Sequence, residues 1–192
     1  MSNVNKTTRL ARIGMIAAVY AAATSIALVF LSGFAWGPVQ FRISEALVVL
    51  ALFTADAVPG LALGCVIANI ANIVLSGSGA FVLFDVVSGS LATLVGAWIT
   101  WRLRKRPRLA LLGPVLANAF IVPAYLPVIL AGLGFYTIPF TSISLEGSYA
   151  FMYLFGFIAI GVGEAVVLYL LGLPLATVLS KTSFIKKMTE EE

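Results

Sequence analysis

The chain has 192 residues, of which 61% are apolar and only 10% charged, and its mean hydropathy is strongly positive. So few charges cannot cover a soluble domain of this size, and the composition predicts one integral-membrane domain over residues 1–192. The formal charge is +4, but the cations gather at Lys6–Arg12, Arg102–Arg108 and Lys181–Lys187, at the edges of apolar segments. That is a topology signal, and it argues against a nucleic-acid-binding face.

Residues 1–9 are polar and read as a short cytoplasmic tail. The first span is expected from about Leu10 to Leu31. A cleaved signal peptide is the alternative, but this apolar stretch is longer than a normal signal core and more spans follow. Gly14, Ala18, Ala21, Ala22 and Ser25 lie near one face, where small residues let another helix approach, within this bundle or from a partner. A loop Ser32–Arg42, with Gly33, Gly37 and Pro38, carries Trp36 and Phe41, suited to an interface or a lid.

The second span, about Ile43 to Ala55, is too short to cross unaided. Pro59 then fits the first turn of a third span, about Gly60 to Leu75, which places Asn69 and Asn72 on one side. After a Gly/Ser turn (Ser76–Gly79) come a fourth span, about Phe81–Trp101, and the basic run RLRKRPR. Asp85, Gly89, Ala92 and Gly96 share a face of that span. A fifth, about Leu109–Leu133, holds Asn118, Pro123, Tyr125 and Pro127 and is expected to kink. The loop Gly134–Ser148 holds Glu146, and a last helix, about Tyr149–Leu179, carries Glu164. Six spans put both termini and the Arg102–Arg108 loop in the cytoplasm.

That topology sets the depth of each polar group. Arg42, Glu45, Asn69, Asn72, Asp85 and Tyr125 fall in the outer half, with Asn118 and Glu164 near the middle; Asp56, at the cytoplasmic turn, is the exception. Convergence predicts one polar cavity opening outward, roofed by Ser32–Phe41 and by Gly134–Ser148. Plainer roles stand beside that reading. Arg42 and Glu45 could pair with each other, the two asparagines could join helices, and Asp85 could cap its helix. Glu164, mid-helix with no cation nearby in sequence, is protonated, paired in space or reserved for a ligand. The single cysteine, Cys65, reads as packing.

Three carboxylates (Glu45, Asp85, Glu164) against one arginine favour a ligand that is cationic or rich in N–H donors, and Phe41, Trp36 and Tyr125 could stack on a flat ring. The chain has no histidine and no GxxxxGK[ST] motif, so zinc hydrolysis, histidine-based triads, disulfides within one chain and P-loop ATP binding are excluded. No metal or cofactor is called for, and the expectation is a binding protein, not an enzyme.

Five stretches then carry a family resemblance: GPVQFRISEAL (Gly37–Leu47), PGLALGCVIAN (Pro59–Asn69), DVVSGSLATL (Asp85–Leu94), GPVLANAFIV (Gly113–Val122) and GVGEAVVLYLLGLPL (Gly161–Leu175). In order and over nearly the whole chain, they resemble the QueT-type substrate-binding (S) components of energy-coupling factor (ECF) transporters. The resemblance implies a six-helix bundle in the cell membrane that captures a queuosine precursor, a 7-deazaguanine such as preQ1 or preQ0 or a queuine-like base. It also implies a transmembrane coupling protein and two ATPases as partners, with Gly14, Ala17, Ala18, Ala21 and Ala22 as the docking face. Ser88 departs from the aromatic residue expected there, which makes the cargo less secure than the family. Within that frame Glu45, Asp85 and Glu164 are expected to accept ligand N–H groups, with Asn69, Asn72 and Asn118 reading polar edges. Arg42 would orient Glu45 or a carbonyl, and Phe41 or Trp36 would close the lid. The rivals are an S component for another vitamin-like solute, a stand-alone carrier with Glu164 as proton site, and an intramembrane enzyme or assembly factor.

Overall fold

The structure is a computed structural model, described here for residues 5–30, 42–76, 83–132 and 149–190. Among these residues all regular secondary structure is helical. Helix α1 (Lys6–Phe30) is followed by a 3₁₀ helix (Ile43–Leu52) and α2 (Ala57–Ser76). A π-helical turn (Asp85–Gly89) opens into α3 (Ser90–Arg102), and the short α4 (Pro107–Ala110) leads into α5 (Leu112–Gly132). The last long run is α6 (Tyr149–Val166), a second π turn (Val167–Gly172) and α7 (Leu173–Leu179), before α8 (Ser183–Glu190).

Six of these stretches occupy the intervals expected from hydropathy. Among the described residues, Lys6–Phe30, Ala57–Val74, Pro107–Tyr125 and Tyr149–Leu179 are long and apolar enough to cross a membrane, and Ile43–Leu52 is a shorter apolar helix. The distribution of polarity agrees with a lipid environment. Phe30, Val74 and Val87 are 70–79% exposed, while Glu45, Asp56, Asn69, Asn72 and Asp85 are 1–2% exposed. Apolar side chains outside with polar groups gathered inside suit a bilayer.

The short second segment is the centre of the bundle. It packs against α1, α2, α3, α7 and the Val167–Gly172 turn, and Ser44, Glu45, Ala46, Val48, Val49, Ala51 and Leu52 are buried. Its ten residues rise about 2.0 Å each in a 3₁₀ helix, giving roughly 20 Å against about 15 Å for an α-helix of the same length. The tighter winding therefore recovers part of the length that this segment lacks for a crossing of about 30 Å. It also brings Glu45 into the interior.

Helix α1 lies chiefly on α2. At Gly64 an added Cβ would stand 2.8 Å from both the Ala17 carbonyl oxygen and the Tyr20 Cβ, so glycine permits this backbone approach. The expected docking face of α1 therefore divides. Ala17 and Ala21 are buried inside the bundle, whereas Gly14, Ala18 and Ala22 remain exposed. Both sides of this helix carry small residues, and α2 covers one of them. At the end holding the termini, Arg9 Nε donates to Asp56 Oδ1 at 2.9 Å, and α8 buries Ile185 and Met188.

Candidate functional site

Arg42 precedes the 3₁₀ helix in an extended conformation (φ −77°, ψ 91°). Helical i, i+3 geometry with Glu45 therefore does not apply to it. Its Nη2 instead donates to Asp85 Oδ2 at 2.5 Å, in a salt bridge where the two side chains are 10% and 2% exposed. The plain Arg42–Glu45 pair gives way to a tie between the second and fourth segments.

Asp85 does not act as a helix cap. Its other oxygen, Oδ1, accepts the Tyr125 hydroxyl at 2.5 Å, and its backbone carbonyl accepts Asn69 Nδ2 at 2.8 Å. One residue thus joins the 3₁₀ helix, α2 and α5. The π turn that carries it is widened locally, a departure from α geometry often found at functional positions. Gly89 makes room for the carboxylate, since a Cβ there would lie 2.7 Å from Asp85 Oδ1 and 3.2 Å from the Tyr125 oxygen. Tyr125, expected as a stacking ring, has its hydroxyl committed to Asp85.

Glu45 is held on one oxygen only. Its Oε1 accepts the Tyr20 hydroxyl at 2.5 Å and lies 3.2 Å from the Thr93 hydroxyl. Among the described residues its Oε2, fully buried, has no hydrogen-bond partner, and neither has the buried Ser90 hydroxyl. A buried acceptor of this kind costs free energy unless a donor reaches it. Glu164 Oε1 accepts Asn118 Nδ2 at 3.4 Å, a long bond, while the same amide reaches the Pro114 carbonyl at 3.2 Å. Glu164 lies within Coulombic reach of Glu45 and Arg42, and Glu45 of Arg42 and Asp85.

Arg42, Glu45, Asn69, Asp85, Asn118, Tyr125 and Glu164 thus gather in one buried neighbourhood, and Asn72 is buried one turn beyond Asn69. Trp36 and Phe41 lie outside the described residues, as do Glu146 and both loops expected to roof the cavity. Cys65 is more than packing, with its sulfur 3.5 Å from Asn69 Nδ2 and 4.0 Å from Arg42 Nη1.

Sequence reasoning passed over Tyr20, Thr93, Gly89 and Ser90 as parts of this network. Tyr20 and Thr93 sit in mainly apolar runs. Tyr20 is four residues before Thr24 on the buried side of α1, where Thr24 donates to Ser44 Oγ at 2.7 Å. That i, i+4 polar pair among small residues was the available cue.

Fold and network together define a multi-pass α-helical membrane protein with ionisable groups assembled inside the bundle, an arrangement suited to a polar solute. Residues 10–181 match the family model described as "QueT transporter", and the chain belongs to that family. It is 34% identical, over 91 residues, to the Queuosine precursor transporter QueT of Lactococcus lactis subsp. cremoris (strain MG1363). That alignment covers 47% of this chain and 48% of the relative, so it spans about half the length of the curated protein. No solved structure matches the chain.

Proposed function

We propose that this chain is the solute-specificity component of an ATP-driven importer and binds a 7-deazaguanine queuosine precursor from the outer side of the cell membrane. The observation that carries the reading is Glu45, a buried carboxylate held on one oxygen by Tyr20 and left, among the described residues, without a partner on the other. Asp85 and Glu164 lie in the same neighbourhood, and Arg42 is bonded to Asp85. Three carboxylates gather near one guanidinium, and a planar base rich in N–H groups would supply a donor to the Glu45 oxygen that lacks one among the described residues. The name of the Lactococcus relative points to the same class of cargo.

In this reading the whole chain acts as one membrane domain with six crossings and both termini in the cytoplasm. Three basic clusters at Lys6–Arg12, Arg102–Arg108 and Lys181–Lys187 support that orientation. Glu45 and Glu164 accept ligand N–H groups, Asp85 is kept in place by Arg42 and Tyr125, and Asn69, Asn72 and Asn118 read polar edges. Trp36 or Phe41 closes the site. The coupling protein docks on the exposed Gly14, Ala18 and Ala22, and two ATPases drive transport. The chain itself performs no catalysis.

Thermal unfolding of the purified chain with a panel of solutes tests the cargo. A ligand at 100 times its Kd stabilises by about 2.7 kcal/mol. PreQ1, preQ0 or queuine should raise the melting temperature, and guanine and unrelated vitamins should leave it in place. A shift with another vitamin and none with the three deazapurines would overturn the assignment.

A further inference from the structure

A second site lies at the opposite end from the acidic network. Between α4 and the last long run is a cleft of about 720 Å³, lined by Arg106, Arg108, Leu109, Tyr169, Leu173 and Thr177 among others. Among the described residues no carboxylate lines it. The stretch Arg102–Arg108 contains five cations (Arg102, Arg104, Lys105, Arg106 and Arg108) and no acid.

These cations are not equivalent. The Arg102 guanidinium lies 5.4 Å from the centre of the Trp98 ring, and that of Arg104 lies 3.5 Å from the Trp101 ring. Arg104 also donates to the Trp101 carbonyl at 3.3 Å. Two arginines are thus engaged by aromatic faces, while Arg106 and Arg108 remain at the cleft. The Tyr169 hydroxyl donates to the Arg108 carbonyl at 2.6 Å, tying this basic turn to the last long helix.

We infer that the cleft binds the headgroup of an anionic phospholipid. Depth selects the lipid over a soluble anion. Trp98 and Trp101 sit next to the basic turn, and tryptophan beside a cationic cluster marks the headgroup level of a membrane-spanning helix. Leu109, on the rim of the cleft, is 48% exposed and faces hydrocarbon in a bilayer. The two guanidiniums meet the lipid phosphate, and Leu109 and Leu173 flank the start of the acyl chains. Basic clefts between spanning helices commonly take such headgroups. The inference requires the membrane disposition of the chain and nothing about its cargo.

Titration of phosphatidylglycerol and phosphatidylcholine against the detergent-purified full chain, read by native mass spectrometry, tests it. Phosphatidylglycerol should bind at least about tenfold more tightly than phosphatidylcholine, as two cations near the headgroup predict. The double variant Arg106→Gln/Arg108→Gln should lose that preference. A control of equal charge change, Lys181→Gln/Lys186→Gln, should keep it. All four positions are exposed, so the fold is not at stake. Equal binding of the two lipids would overturn the inference, as would a preference unaffected by the arginine changes or lost equally in the lysine control. Release of the lipid by millimolar inorganic phosphate would make this a soluble-anion site and also overturn it. If the arginine variant kept its lipid preference but failed to assemble with partner subunits, the cleft would belong to a protein contact instead.

Discussion

At the end of the bundle that holds the termini, the buried Asp56 carboxylate meets Arg9, whose side chain is 56% exposed, and the Asp56 N–H donates to Thr54 Oγ1 at 3.2 Å. In the other half, Glu45, Asp85 and Glu164 are all buried, and the guanidinium of Arg42 is bonded to Asp85. In the first region the carboxylate is paired with a cation that reaches solvent. In the second, three carboxylates gather near one guanidinium, and one Glu45 oxygen has no partner among the described residues. A matched pair serves the fold. A buried acceptor without a donor carries a cost that a bound N–H donor would offset, and in the proposed reading this separates the solute site from a structural tie.

Substitutions at the two ends should separate along that line. Asp85→Ala should have the largest effect. It leaves the Arg42 charge buried without its carboxylate, which costs about 3–5 kcal/mol, and solute binding should be lost. A chemical-denaturant melt checks the first effect and ligand titration the second. Glu164→Gln keeps the shape and removes the charge. It should weaken ligand binding by about 1.5–3 kcal/mol, the range for a hydrogen bond to an ionised group, with melting little changed; normal binding would make Glu164 structural.

Gly89→Ala places a methyl group 2.7 Å from Asp85 Oδ1. Overpacking of this kind costs about 1–3 kcal/mol. Because the clash is with the carboxylate, binding should fall together with stability. Gly64→Ala, which crowds the Ala17 carbonyl and the Tyr20 Cβ, should lower stability and reach the site only through Tyr20, with a smaller loss of binding than Gly89→Ala. Smallest of all should be Asp56→Asn. A pair with one partner more than half exposed is worth about 0–1 kcal/mol, and solute affinity should not change. A loss of binding in Asp56→Asn would break the distinction between the two ends.

Much of this contrast could be read before any coordinates. Hydropathy located the long helices, because a span needs about 20 apolar residues and little else resembles that. Ordering the spans placed Glu45, Asn69, Asp85 and Tyr125 at similar depth, and three of them meet at Asn69, Asp85 and Tyr125. The pairing itself was hidden. Spacing suggested Arg42 with Glu45, but Arg42 stands outside the helix in extended backbone, and its reach to Asp85 depends on how distant segments pack. The π turn under Asp85 left no sequence mark beyond Gly89. Tyr20 and Thr93 were concealed because uncharged hydroxyls are common in apolar helices, and the tie of each to Glu45 is a tertiary contact. The division of α1, with Ala17 and Ala21 inside and Gly14, Ala18 and Ala22 outside, depended on which face α2 covers.

Glu45→Gln, with preQ1 affinity measured by isothermal titration calorimetry, tests the central claim most directly. The glutamine carbonyl can still accept the Tyr20 and Thr93 hydroxyls, while its NH₂ turns the unpartnered acceptor into a donor. The account predicts melting within about 1 kcal/mol of the parent and a Kd at least about tenfold higher, equivalent to 1.4 kcal/mol. An unchanged Kd for preQ1 in Glu45→Gln would contradict it.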